Sequence, residues 1–151
     1  MGGGFGAFEA WAGSDLAKLA MVIVDTTVWI DYLRGVVSQE TSWFESELNR
    51  QRFGLTDLIL CEILQGVPDE LMARQVLREL SRFQIYDTGG EDLAVEAARN
   101  FRLLRQRGRT VRKTIDGLIA TFCLREGFSL LHCDRDFNHF EVVLGLSVIH
   151  P

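Results

Sequence analysis

The chain has 151 residues, 47% of them hydrophobic and 25% charged, with a formal net charge of −5. That suffices for one domain with a real core, is too short for two comfortable ones, and matches ordinary globular composition. No stretch approaches the roughly 20 apolar residues of a membrane span, nothing resembles a secretory signal, and the glycine motifs of P-loop and dinucleotide folds are missing. A cytoplasmic protein without a membrane partner is expected.

Residues 1–20 hold five of the fourteen glycines, and Met21 opens the first apolar run as an initiator would. They read as a leader or extension outside the fold, leaving residues 21–151 as a single domain. Met21 to Val24 is uninterrupted and apolar, the mark of a strand buried on both faces. Asp25 follows, Thr26 and Thr27 offer an N-cap, and Val28, Trp29, Tyr32 and Leu33 recur at helical spacing up to Gly35. Gln39 to Arg50 reads as an amphipathic helix with Trp43, Phe44 and Leu48 on one side, and Phe53 to Leu55 as a short strand. Thr56-Asp57 caps a helix to Leu64 that Gly66 and Pro68 close, and Asp69 to Arg82 forms another. Phe83 to Tyr86 is a strand, Glu91 to Gln106 a long helix, Arg107 to Arg112 a basic loop, and Thr114 to Glu126 a helix stopped by Gly127. Phe128 to His132 is a strand and Leu146 to Ile149 a last short one. Strands alternating with helices indicate an α/β fold with a mainly parallel sheet.

Cys61, Cys123 and Cys133 are odd in number, far apart, and each set in an apolar segment. This pattern favours reduced core thiols over disulfides or a zinc site. The acidic total hides a local asymmetry. Seven of the sixteen basic residues lie between Arg99 and Lys113, with no acid among them. Such a patch can steer a polyanion, and Arg112 is the leading candidate for phosphate contact.

Four acids sit in surroundings wrong for charge. Asp25 ends a buried strand, where open α/β sheets collect ligands. Glu62 interrupts a helix apolar on every face, so it should be partly desolvated. Asp116 lies in the first turn of a helix whose Leu118, Ile119 and Phe122 mark a core face. Asp134 follows a strand, with Asp136 two residues on. If the strands of Asp25 and Asp134 are neighbours, both carboxylates leave the same sheet edge, within reach of Glu62 and Asp116. Crowded carboxylates repel by about 4 kcal/mol per pair at 4 Å and an effective dielectric of 20, so they persist by taking up protons or binding cations. Oxygen ligands suit Mg²⁺ or Mn²⁺, and the chemistry such ions support is phosphodiester hydrolysis. Singly, each acid has an ordinary reading: a turn residue at Asp25, an ion pair at Glu62, a dipole partner at Asp116. Asp31, near a helix start, is read as structural.

Asp25-Thr-Thr-Val-Trp-Ile-Asp31, Glu62 in its apolar helix, Thr114-Ile-Asp116 opening another, and His132-Cys-Asp-Arg-Asp-Phe137 after a strand together resemble the PIN domain. Among PIN domains the likeness is to the VapC toxins of bacterial toxin–antitoxin pairs, over essentially all of residues 21–151. The resemblance implies a three-layer α/β/α sandwich and a Mg²⁺- or Mn²⁺-dependent endoribonuclease that leaves a 5′-phosphate and a 3′-hydroxyl. A transfer RNA or another structured RNA is the expected substrate. It also implies a homodimer and a VapB-like antitoxin whose C-terminal segment covers the active site. By motif, Asp25, Glu62, Asp116 and Asp134 become the acidic quartet, Asp136 a candidate fifth ligand, and Thr27 a hydroxyl supporting them. His132 departs from the pattern, since relatives often have Thr there.

Two rival readings are a catalytically silent PIN-like interaction module and an aspartyl-phosphate enzyme. The complete quartet argues against the first. Against the second, Thr27 stands where a further acid is wanted and Lys113 is the only lysine after Met21.

Overall fold

The computed structural model describes residues 20–151; the leader expected over residues 1–20 lies, but for Ala20, outside the described residues. In chain order the elements are β1 (Met21–Val24), α1 (Thr26–Leu33), α2 (Gln39–Glu47), β2 (Arg52–Thr56), α3 (Asp57–Gln65) and α4 (Glu70–Leu80). They continue with β3 (Gln84–Tyr86), α5 (Glu91–Gln106), α6 (Thr114–Glu126), β4 (Ser129–Leu131) and α7 (Asp136–Leu144).

The strands form one sheet in the order β3-β2-β1-β4, every pair parallel. β1 is buried at all four residues, which explains its lack of polar alternation. From β1 the chain steps through β2 to β3 in one direction, then returns past both to place β4 on the other side of β1. Right-handed crossovers put helices of opposite steps on opposite faces, so α1–α4 cover one face and α5–α7 the other. Helix packing largely follows this division, α1 meeting α2 and α3 and α6 meeting α5 and α7, while α3 and α6, which carry Glu62 and Asp116, meet across it. The result is the expected three-layer α/β/α sandwich. Its topological switch point is the gap between β1 and β4, at the carboxyl ends of the strands.

Caps explain several boundaries. The Ser38 hydroxyl accepts the Thr41 N–H, and Thr41 returns the bond to the Ser38 N–H, starting α2. Thr56 and Asp69 cap α3 and α4 more simply, their side-chain oxygens accepting the Ile59 and Met72 N–H. Phe44 is fully buried, edge-on to Trp29 and Phe53, with Trp43 and Leu48 packed against the same core. Two glycines allow close approach. A Cβ on Gly54, in β2, would lie 2.8 Å from the Gln84 carbonyl oxygen; one on Gly117 would lie 2.3 Å from the Phe101 ring. Gly117 thus lets α5 press against the first turn of α6.

Some expectations need correction. The sequence reading assigned α7 to no element. It is short, opens without a side-chain cap, and is held mainly by Phe137 and Phe140, both fully buried. The strand expected over Leu146 to Ile149 shrinks to a single parallel bridge, Val148 to Leu130. Of the three cysteines only Cys123 is buried; Cys61 and Cys133 are exposed, and all are free thiols. On α3, Cys61 stands two residues, about 200° of helix, from both buried Ile59 and buried Ile63, so apolar neighbours in sequence did not imply burial. Among the described residues, no helix is long and apolar enough to cross a membrane.

Candidate active site

The β1–β4 pairing runs one residue past the strands, because the Asp25 N–H donates to the Leu131 carbonyl at 2.9 Å. Asp25 therefore leaves the sheet edge at the switch point. It occupies the N-cap position of α1, where Thr26 or Thr27 was expected, with φ −73° and ψ 162°, yet its carboxylate makes no side-chain capping bond. Asp25 is 5% exposed, and its Oδ1 is buried with no hydrogen-bond partner among the described residues. Burial pushes its carboxyl up to about 7; the Thr26 backbone N–H opposes this, and Asp116, Glu62 and Asp134 add to it.

Asp116 comes from the other face of the sheet, in the first turn of α6. A helix N-terminus favours a carboxylate, but burial and the charges of Asp134, Glu62 and Asp136 outweigh both that and nearby Lys113, lifting Asp116 to about 6. Its Oδ2 is likewise buried and unpartnered. Glu62, on α3, is partly buried and accepts the Thr26 hydroxyl at 2.6 Å. Asp134 lies in the turn after β4, where its Oδ1 accepts the Asp136 N–H at 3.0 Å and its own N–H donates to His132 Nδ1 at 3.1 Å. Asp25, at the end of β1, and Asp116, on α6, each feel the charges of Glu62, from the opposite helical layer, and of Asp134, after β4, so the four carboxylates lie within electrostatic reach of one site.

Asp136 and Arg112 are placed differently from the other candidates. The Asp136 Oδ2 accepts both the backbone N–H and the Nε of Arg112, each at 3.2 Å. Burial opposes ionisation of Asp136, but these Arg112 donors prevail and hold its carboxyl below the ordinary value. The pair fastens the basic loop to the start of α7, and the Arg109–His139 contact at 3.2 Å does so one turn later. Arg112 remains largely exposed beyond its Nε. Thr27 is exposed, and the hydroxyl that reaches a quartet carboxylate is that of Thr26. Sequence reasoning missed Thr26 because its partner lies 36 residues away. Arg99, Arg102, Arg105 and Arg107 are all exposed.

The donor set fits a hard divalent cation. It offers carboxylate oxygens, two of them buried with no partner among the described residues, and burial, with the neighbouring carboxylates, makes ionised Asp25 and Asp116 costly unless a positive charge compensates them. Among the described residues, no three acidic, His or Cys side chains form a ready coordination group, so the quartet is a loose gathering.

A fold with its acids at this switch point defines a class: residues 22–143 match the PIN domain family model, and the chain belongs to that family. More particular likenesses follow. The chain is 28% identical over 129 residues to Ribonuclease VapC11 of Mycobacterium tuberculosis and, by the same measures, to VapC ribonuclease Mb1587 of Mycobacterium bovis, covering 84% of this chain and 96% of each relative. Among solved structures, VapBC2 from Rickettsia felis bound to a promoter DNA fragment superposes with a TM-score of 0.69. The identity there is 16%, over 85% of this chain and 97% of the other, a likeness of fold.

Proposed function

We propose that this protein is the toxin of a toxin–antitoxin pair, a Mg²⁺- or Mn²⁺-dependent endoribonuclease restrained by a VapB-like antitoxin. What supports the reading is that Asp25 feels the charge of Asp116, that both feel those of Glu62 and Asp134, and that each has a buried carboxylate oxygen with no hydrogen-bond partner among the described residues. The VapC relatives support the ribonuclease, and the VapBC neighbour supports the antitoxin partner. A homodimer is part of the same proposal.

These four carboxylates would hold the cation, with Asp136 outside the group because Arg112 engages it. A bound cation would lower the pKa of a water molecule and stabilise the negative charge that builds on the phosphoryl oxygens during in-line attack. The chain's own residues prepare that chemistry. Thr26 orients Glu62, leaving its other oxygen free of that bond. With carboxyls raised to about 7 and about 6, Asp25 and Asp116 hold more protons near pH 6 than ordinary aspartates do, and a bound cation would displace them. Arg112 and the exposed arginines of α5 supply positive charge for the RNA backbone.

The test is incubation of purified, antitoxin-free protein with total bacterial RNA in Mg²⁺, Mn²⁺ or EDTA, beside Asp116→Asn, with the cut ends mapped. The expected result is metal-dependent cleavage with 5′-phosphate ends, lost in the variant. Cutting that persists in EDTA, or leaves 2′,3′-cyclic phosphates, would refute the mechanism. No cutting by folded protein that binds Mn²⁺ would favour the silent interaction module.

A further inference from the structure

We propose that His132 is a positioning residue for the site: its unprotonated Nδ1 takes the Asp134 backbone N–H and so fixes the turn that aims the Asp134 carboxylate. The inference rests on the metal-nuclease reading above. His132 directly follows β4, beside Asp25 across the β1–β4 pairing, where the last aligned residues are Val24 and Leu131. Two bonds then follow in sequence: Asp134 N–H to His132 Nδ1 at 3.1 Å, and Asp136 N–H to Asp134 Oδ1 at 3.0 Å. The first sets the backbone of Asp134 and the second sets its carboxylate.

Because the donor is a backbone N–H, Nδ1 is the acceptor and the ring proton sits on Nε2. That Nε2 is buried with no hydrogen-bond partner among the described residues, while the ring packs on fully buried Phe137 at 4.9 Å between centroids. For packing alone this is a poor choice, since an aliphatic side chain would fill the space without stranding a polar atom. Among the described residues, the hydrogen bond its side chain makes in return is the one to the Asp134 turn.

The test compares His132→Leu, which removes the acceptor, with His132→Asn, whose Oδ1 stands where Nδ1 did. Hydrogen exchange at the Asp134 amide in metal-free protein reads the hold directly. Mn²⁺ calorimetry and RNA cleavage read its consequence. The expected result for His132→Leu is a melting temperature at or above wild type, loss of Asp134 amide protection, and Mn²⁺ affinity and kcat each down at least about ten-fold with KM unchanged. His132→Asn restores protection and stays within about three-fold of wild type in both, since the acceptor is retained. A purely structural His132 would leave Asp134 amide protection, Mn²⁺ affinity and kcat intact in the Leu variant whatever its melting temperature, and that outcome overturns the proposal. Equal loss in the Leu and Asn variants overturns it too. Failure of the nuclease reading is seen separately, as wild-type protein that neither cuts RNA nor binds Mn²⁺; the amide exchange still decides whether His132 holds the turn.

Discussion

Asp25 and Asp116 are held in a folded state that would rather keep them neutral. Both carboxyls are raised from 3.8, so between that value and about 6 to 7 the unfolded chain gives up protons that the fold retains. Stability contributed by these groups is therefore full below about pH 4, declines as pH rises to about 7, and is flat beyond. The lowered Asp136 opposes this: its contribution is present above the ordinary carboxylate value and fades as pH falls. In metal-free urea melts, Asp25→Asn should gain on the order of 1–3 kcal/mol at about pH 7.5, and almost nothing at about pH 4.5. A variant less stable than wild type at the higher pH would contradict the electrostatic account. The residues of this quartet were legible because each stood in an apolar setting. Thr26 and the Arg112–Asp136 pair were not, since both depend on contacts across 24 to 36 residues that no local pattern encodes.

Most elements could be read from their own chemistry: β1 from its unbroken apolar run, α3 from Thr56, α4 from Asp69. α7 went unread although Phe137, Phe140 and Leu144 recur at helical spacing before Gly145, because its start directly follows the acidic turn after β4 and carries no cap to mark it. The contact between α5 and α6 was half legible. A glycine directly after Asp116 is visible in the sequence, but only the fold shows Phe101 filling the space that its missing Cβ leaves. Gly117→Ala should consequently force the helices apart at the turn that carries Asp116. Its expected cost is about 1–3 kcal/mol in denaturant unfolding, together with reduced cleavage. Unchanged stability would mean that Phe101 rotates freely out of the way, and that this packing does not set Asp116.

Across the molecule, the reversal in strand order after β3 creates the site. It brings Asp25 and Asp134 to adjacent strand ends and allows helices from opposite faces to contribute Glu62 and Asp116. The sequence order of motifs announced the fold, and neighbouring β1 and β4 supplied the geometry that the motifs required. A site assembled this way, from four separate segments, is stable in charge terms only with protons or a cation. The most direct measurement is Mn²⁺ calorimetry in buffers of different ionisation enthalpy, on wild type and on Asp25→Asn/Asp116→Asn. The account predicts binding that releases about one proton or more near pH 6, little near pH 8, and disappears in the double variant. Binding without proton release at the lower pH, or binding undiminished in the double variant, would contradict it.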